Sequence, residues 1–236
     1  VVTNARGVQS IPIAEHVLAG LLALARGLPR SWRDQQRHEW RPNDYVGEAM
    51  PWLVHGRTMG VIGVGSIGMV IATRARALGM RVIGMRRSPE RGVPDGFDEV
   101  VGPDRLEWVL RTSDVLVLAA PHTAATDQLL DRAALGAMRQ GSVLVNVARG
   151  QLVDEQALVE ALQQGHLRGA VLDVTTKEPL PADHPLWTAP NVVLTPHTAG
   201  FRADHFDAVI ELFAENLVRF ERGAPLVNVV DPDAGY

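Results

Sequence analysis

Apolar residues recur every three or four positions across residues 12–28, near the start of the chain. This spacing predicts one strongly apolar helix, with Gly27 and Pro29 at its end. Residues 31–55 are mostly polar and carry two prolines. They predict a short helix followed by an extended arm, which separates the first helix from the rest of the chain.

Beyond residue 56 the pattern changes to short β-rich runs that alternate with helical stretches. Runs that are apolar throughout and separated by helices are typical of parallel strands covered on both faces. The sequence therefore predicts an α/β protein with a doubly wound (Rossmann) sheet. A last helix, 203–221, is amphipathic, and we assign it to an incomplete second domain. The predicted strands are 59–64, 81–85, 115–120, 142–147, 170–174 and 192–195, and the helices between them are 67–78, 105–111, 132–138 and 155–164.

Composition narrows the classes of function. The 236 residues are 46% apolar and 21% charged, with a formal net charge of −4 and no cysteine. The absence of cysteine excludes disulfide scaffolds, Cys-ligated zinc and thiol catalysis. Scattered arginines in a slightly acidic chain are not typical of nucleic-acid binding, and the longest apolar run, 17–25, is too short to cross a bilayer. We expect a cytoplasmic protein that binds neither nucleic acid nor membrane.

A glycine-rich loop follows the first predicted strand and opens a helix. It reads Gly63-Val64-Gly65-Ser66-Ile67-Gly68, which is the GxGxxG spacing of dinucleotide sites. Such glycines permit a tight turn, the approach of a pyrophosphate to the backbone, and close helix–strand packing. The alternative is a strand-to-helix turn without a ligand. The βαβ context favours a nicotinamide dinucleotide, with Gly63, Gly65, Ser66, Ile67 and Gly68 as contacts.

The end of the second predicted strand indicates which dinucleotide binds. NAD sites usually carry an acidic residue there, whereas this chain reads Arg86-Arg87-Ser88. Guanidinium groups suit a 2′-phosphate, and no carboxylate is present to repel one. We therefore expect NADP(H) in preference to NAD(H), which remains possible. The alternative is that these arginines only face solvent.

Three reactive residues follow three different strands of the predicted sheet. Arg149, Glu178 and His197 each lie just beyond a strand, and ligands of open α/β sheets bind outside the carboxyl ends of strands. Singly, each could be a surface charge, a turn residue or a cap. Together they form the set needed to reduce a 2-keto acid. Arg149 would bind the substrate carboxylate, His197 would donate the proton, and Glu178 would hold the imidazole in its protonated form and orientation.

Several motifs in order give the chain a specific resemblance. It resembles the D-isomer-specific 2-hydroxyacid dehydrogenases, which include glyoxylate/hydroxypyruvate reductases and phosphoglycerate dehydrogenase. The motifs are the glycine loop, Ala14-Glu15-His16-Val17, Val145-Asn146-Val147-Ala148-Arg149-Gly150 with Val153-Asp154-Glu155, Leu172-Asp173-Val174 with Glu178-Pro179-Leu180, and Thr195-Pro196-His197-Thr198-Ala199-Gly200.

The resemblance implies the Arg149, Glu178 and His197 triad, with Asp173 near the nicotinamide carboxamide and Pro121 near the adenosine. It also implies that the first helix builds a homodimer. No metal site is expected. The remaining expected cofactor contacts are Thr126, Val147, Ala148, Ala199 and Gly200, together with Arg149 and His197 themselves.

The resemblance also predicts the domain organisation. Members of the family begin with a smaller flavodoxin-like segment that contributes to the substrate pocket, and we expect this sequence to start just after it. Residues 8–198 would then form the dinucleotide-binding domain, including a dimerisation helix 12–28 and an arm 29–56. Residues 1–7 and 199–236 would be the remnant of the substrate domain.

The expected activity is hydride transfer between NADP(H) and a small 2-keto or 2-hydroxy acid, such as glyoxylate or hydroxypyruvate. Related formate dehydrogenases pair the histidine with glutamine, so Glu178 argues against that activity. Two alternatives remain open: a dinucleotide-sensing binding module without turnover, and an oxidoreductase similar to phosphite dehydrogenase, which uses a similar triad. Fold alone does not separate these.

Overall fold

A seven-stranded parallel sheet runs through the computed structural model, which describes residues 1–47 and 50–230. Residues 48–49 of the predicted arm and 231–236 of the predicted substrate-domain remnant lie outside the described residues. The strands are β1 (Thr58–Ile62), β2 (Arg81–Met85), β3 (Glu99–Val101), β4 (Val115–Leu118), β5 (Ser142–Asn146), β6 (Leu167–Leu172) and β7 (Val192–Leu194). Their order in the sheet is β3-β2-β1-β4-β5-β6-β7. The order reverses between β1 and β4, where ligands of doubly wound sheets bind.

Helices cover both faces of this sheet. Alternate residues of each central strand enter two separate apolar cores, because side chains of a strand point to opposite faces in turn. The helices are α1 (Ser10–Ala25), α2 (Leu28–Gln36), α3 (Ser66–Ala77), α4 (Leu106–Thr112), α5 (Arg132–Ala137), α6 (Glu155–Gln163) and α7 (His205–Glu221). In β4, Val115 and Val117 pack beneath α1 and α3, whereas Leu116 and Leu118 pack beneath α4, α5 and α6.

The first two predicted helices are present with different bounds. The apolar helix predicted at 12–28 is α1, which ends at Ala25, and the short helix predicted after it is α2, which begins at Leu28. Gly27 makes the break with φ of 68°, a conformation that glycine adopts at little cost. Pro29 opens α2 and does not close α1, since proline at the start of a helix removes an N–H that has no acceptor there.

The predicted strands also extend too far at their carboxyl ends. Val147, Asp173 and Thr195 were predicted as strand residues and lie just beyond β5, β6 and β7. The three-residue β3 at the sheet edge was not predicted, because so short a run has no clear periodicity. The residues beyond the strand ends form the loops in which the predicted site lies.

Helix α7 leaves its apolar face uncovered. Phe206, Ile210, Phe213 and Phe220 are between 61% and 78% exposed, although they share one side of an amphipathic helix. The two ends of the described chain meet beside this helix through an antiparallel bridge between Thr3 and Val229. Exposed apolar area of this extent is typical of an interaction surface.

Within 1–47 and 50–230, no single helix is long and apolar enough to cross a membrane. Helices α1 and α2 pass that test of length and composition only as a pair bent by 71°. Half of α1 is buried inside the protein.

Candidate active site

The glycine loop lies at the reversal of strand order, between β1 and α3. Gly63 has φ of 111°, and a Cβ there would lie 2.6 Å from the Ala119 carbonyl group. A Cβ at Gly68 would lie 2.0 Å from the carbonyl oxygen of Gly63. Neither position has room for a side chain. These two glycines let the loop turn tightly and let α3 pack directly on β1.

Gly65 differs from its two neighbours, because no heavy atom lies within 4 Å of the place where its Cβ would be. The loop therefore exposes backbone to an open crevice. Gly65 is the N-cap of α3 and supplies no side-chain cap, so the N–H groups of Ser66, Ile67 and Gly68 precede the first helical hydrogen bond, from Met69 to Gly65. Free donors and the helix dipole suit an anion, and the loop fits a pyrophosphate.

Arg86, Arg87 and Ser88 follow β2, one strand away from the glycine loop. Nη2 of Arg86 donates to the carbonyl oxygen of Gly92 at 2.6 Å, which turns the guanidinium toward the loop after the strand. The Nε of Arg86 is buried and has no hydrogen-bond partner among the described residues. A buried donor without a partner fits a site that receives an anionic oxygen.

Pro121 and Thr126 belong to one turn after β4. The Thr126 hydroxyl donates to the Pro121 carbonyl oxygen at 2.8 Å and accepts from the Thr123 N–H at 2.8 Å. This hydroxyl therefore holds the turn together. His122, in the same turn, pairs through Nε2 with Asp127 Oδ1 at 2.7 Å.

The imidazole of His197 meets the carboxylate of Glu178, as the sequence predicted. His197 Nδ1 and Glu178 Oε2 are 2.7 Å apart. Glu178 is oriented by a second bond, because its Oε1 accepts from the Thr175 N–H at 3.1 Å. His197 has φ of 56°, in the left-handed region that few side chains adopt. Both side chains are partly open to solvent, at 50% and 39% exposure.

Arg149 lies in the neighbouring loop, after β5. Its Nη1 donates to the carbonyl oxygen of Ala148, and the residue is exposed. Gly150 brings this loop against the loop of Glu178, since a Cβ at Gly150 would lie 2.0 Å from the carbonyl carbon of Thr175. Three loops from three strands thus place a guanidinium, a carboxylate and an imidazole at one edge of the sheet.

The pKa of Glu178 is lowered from its ordinary value. Burial raises this pKa, and four favourable interactions outweigh the burial. These are the hydrogen bonds from His197 and the Thr175 N–H, and the positive charges of His197 and Arg149. Glu178 therefore stays ionised at neutral pH and can stabilise a proton on its imidazole partner.

Asp173, just after β6, is buried and binds the backbone of the loop that carries His197. It is 3% exposed, and its carboxylate accepts hydrogen bonds from the Thr198 N–H and the Ala199 N–H, both at 2.9 Å. Gly200 lies against the side chain of Gln9, since a Cβ on it would be 3.0 Å from Cδ of that residue. Asp173 thus ties the His197 loop to the end of β6, and Gly200 packs the same loop against Gln9.

Sequence reasoning missed three residues that shape these loops. Asn146, 1% exposed, accepts from the Ala148 N–H and donates to the Arg149 carbonyl oxygen, so it folds the loop that carries Arg149. The Thr195 hydroxyl donates to Asp173 Oδ1, and His16 Nε2 contacts that hydroxyl from α1. A polar residue at the end of an otherwise apolar strand was the available signal for Asn146.

Val147 and Ala148, the other two predicted cofactor contacts, are each 8% exposed beside this loop. In the described ranges, up to residue 47 and from 50 to 230, no group of three or more His, Asp or Glu side chains could hold a metal ion.

This chain is similar to one family model and to several known proteins. A family model described as the NAD binding domain of D-isomer specific 2-hydroxyacid dehydrogenase matches residues 18–199. A glyoxylate reductase of Korarchaeum cryptofilum is 35% identical over 98% of this chain and 69% of its own length.

Two solved structures are similar over 97% of this chain, which covers 69% of the length of the first and 71% of the length of the second. One is a D-isomer specific 2-hydroxyacid dehydrogenase from Xanthobacter autotrophicus Py2 in complex with NADPH and MES, with a TM-score of 0.83 and 36% identity. The other is an NADPH-dependent glyoxylate/hydroxypyruvate reductase from Sinorhizobium meliloti in complex with NADP and sulfate, with a TM-score of 0.84 and 30% identity.

Proposed function

This chain belongs to the D-isomer specific 2-hydroxyacid dehydrogenases, which are NAD(P)-dependent oxidoreductases, and we propose that it reduces a small 2-keto acid such as glyoxylate or hydroxypyruvate with NADPH. The observation that carries the proposal is the 2.7 Å contact between His197 Nδ1 and Glu178 Oε2, next to the loop of Arg149. An ion pair in this place supplies a proton donor beside a cation that can hold a carboxylate.

Each residue of the triad has one task in this reaction. Arg149 binds the carboxylate of the substrate, because a guanidinium presents paired donors to a planar acceptor. His197 has its Nδ1 engaged by Glu178, so Nε2 is the nitrogen that gives a proton to the keto oxygen. Glu178 remains ionised and stabilises the imidazolium. The bound reduced nicotinamide supplies the hydride. In the reverse direction, His197 Nε2 takes the proton from the hydroxyl group.

The proposed dinucleotide contacts are the loop Gly63–Gly68, Arg86 to Ser88 and the loops after β4, β5 and β7. The open crevice at Gly65 and the uncapped N–H groups of α3 support the pyrophosphate position. The unpartnered Nε of Arg86 supports a 2′-phosphate, and hence NADP(H). Two similar structures, from Xanthobacter and Sinorhizobium, were solved with NADPH and NADP, which also supports this choice.

We further propose the domain organisation that the sequence predicts. Residues 8–198 form the dinucleotide-binding domain, and 1–7 with 199–236 belong to a substrate domain. The uncovered apolar face of α7 supports this assignment, since a second domain would bury it. The exposed Trp32, Trp40 and Leu53 of the arm support a homodimer. A cytoplasmic location stays a prediction.

The experiment that tests the function is a turnover assay of the full-length protein with NADPH or NADH and a panel of small 2-keto acids. The proposal expects oxidation of NADPH with glyoxylate or hydroxypyruvate. Tight binding of NADPH without turnover on any member of the panel would favour a sensing module. Reduction of NADP by phosphite, with no reaction on keto acids, would favour the phosphite alternative.

A further inference from the structure

A series of partly buried polar contacts joins helix α1 to the loop that carries His197. His16 Nε2 lies 3.0 Å from the Thr195 hydroxyl oxygen, and that hydroxyl lies 2.6 Å from Asp173 Oδ1. His16 and Thr195 are 179 positions apart in the sequence. The direct distance from His16 Nε2 to Asp173 Oδ1 is 3.9 Å, so Thr195 is the link between them.

The carboxylate of Asp173 fixes the direction of the hydrogen bonds between His16, Thr195 and Asp173. Asp173 Oδ1 already accepts from the Thr198 N–H, and Oδ2 accepts from the Ala199 N–H. Thr195 has one hydroxyl proton, which it donates to Oδ1 of this carboxylate. The Thr195 oxygen must then accept from His16, so His16 carries a proton on Nε2.

Sheet register explains why these side chains meet. Leu172 pairs with Leu194 across β6 and β7, so Asp173 and Thr195 come next in register. They point to the same face as Val171, which packs in the core beneath α1.

Helix α1 approaches this face closely at Gly20. A Cβ at that position would lie 2.5 Å from Cγ1 of Val171. Gly20 and His16 are one helical turn apart, so they share a face of α1. The missing side chain at Gly20 brings α1 near enough for His16 to reach Thr195.

We infer that His16 and Thr195 are positioning residues for the proposed reaction, acting through Asp173. Asp173 holds the turn of residues 197–199 through three hydrogen bonds. Its carbonyl oxygen accepts from the His197 N–H at 2.8 Å, and its carboxylate accepts from the N–H groups of Thr198 and Ala199. The turn keeps His197 at φ of 56°. Neither residue touches the reacting atoms. This role rests on the proposed function, because His197 is the proton donor there.

Matched variants separate positioning from folding. Thr195→Val removes the hydroxyl and keeps the shape, whereas Thr195→Ser keeps the hydroxyl. For His16, Gln places an amide donor where Nε2 lies, and Asn places its donor nearer the main chain. We expect Thr195→Val and His16→Asn to lower kcat of the full-length protein about tenfold or more, with the KM for NADPH changed less than about threefold. Thr195→Ser and His16→Gln should retain most of kcat.

Two measurements do not depend on turnover. Long-range proton–nitrogen NMR spectra of the chain with labelled histidine should show His16 with its proton on Nε2, and His16→Gln should identify the signal. Amide exchange at Thr198 and Ala199 should be about fivefold to tenfold faster in Thr195→Val than in Thr195→Ser, since one hydrogen bond to their acceptor is lost.

A proton on Nδ1 of His16 alone, or equal exchange in the Val and Ser variants, would overturn the inference. Equal loss of kcat in His16→Gln and His16→Asn would also overturn it. If the full-length protein reduces no 2-keto acid, the proposed function fails, and the NMR and exchange results still decide whether this network orders the loop.

Discussion

Alanine at Gly68 should destabilise the fold, whereas alanine at Gly65 should mainly weaken cofactor binding. A Cβ at Gly65 meets no heavy atom within 4 Å, and the φ of −104° suits any residue. A Cβ at Gly68 would lie 2.0 Å from the carbonyl oxygen of Gly63, whereas an ordinary contact between such atoms is about 3.3 Å. Gly68→Ala must therefore push α3 away from β1. Gly65→Ala fills only the crevice.

The magnitudes follow from these contacts. Overpacking costs about 1–3 kcal/mol, and alanine recovers up to about 1 kcal/mol in helix propensity, so Gly68→Ala should lose roughly 1–2 kcal/mol. That corresponds to about 2–8 °C in Tm for a chain of this size. Gly65→Ala should lose about 0.5 kcal/mol, because alanine is a poorer N-cap than glycine. The effect of Gly65→Ala on the affinity for NADPH is larger than its effect on stability. Losing one or two hydrogen bonds to a charged phosphate, at about 1.5–3 kcal/mol, raises Kd for NADPH roughly 10- to 100-fold.

The assay pairs thermal unfolding with NADPH titration, followed by quenching of tryptophan fluorescence. Gly65→Ala should unfold within about 2 °C of the unchanged chain and bind NADPH at least about tenfold more weakly. Gly136→Ala is a control, because its Cβ also meets open space and it lies in α5, outside the proposed site. An unchanged Kd in Gly65→Ala would refute the placement of the pyrophosphate.

Three further predictions concern other parts of the molecule. Arg86→Asp should raise Kd for NADPH about tenfold or more and leave or improve NADH binding, and an unchanged preference in paired titrations would rule out its role at the 2′-phosphate. Glu178→Gln should cost up to about 1 kcal/mol at pH 7, because the ion pair with His197 is half-exposed. The lowered pKa of Glu178 means that this stability is present above the ordinary glutamate value of 4.5 and is lost as pH falls through the lower folded pKa, so denaturation curves of the two proteins should converge as the solution is made acidic. Phe213→Ala should change the stability of this chain by less than about 0.5 kcal/mol, since the ring is 67% exposed, but should cost about 3 kcal/mol in the full-length protein if a second domain buries it.

The sheet could be predicted from the sequence because its signal is local. Each strand is a short apolar run, each helix has its own spacing, and parallel order follows from their alternation. The break at Gly27 could be predicted from the glycine itself, whereas the place of Pro29 in the first turn of α2 was not predicted, because proline can follow one helix or open the next. The apolar face of α7 was predicted, but its exposure depends on what packs against it.

The candidate site could be predicted only in part. Arg149, Glu178 and His197 were found because each follows a strand, and strand ends meet at one edge. The contacts of His16 with Thr195 were not predicted, because their pairing depends on how closely α1 packs on the sheet at Gly20. Local patterns do not encode such long-range distances.

The most direct test of the proposed chemistry is the rate of NADPH oxidation with glyoxylate in full-length protein carrying His197→Ala. We expect a fall in kcat of roughly 10²- to 10⁴-fold, which is the usual contribution of a general acid, with Kd for NADPH changed less than about threefold. A His197→Ala enzyme that turns over at the rate of the unchanged protein would contradict the assignment of His197 as the proton donor.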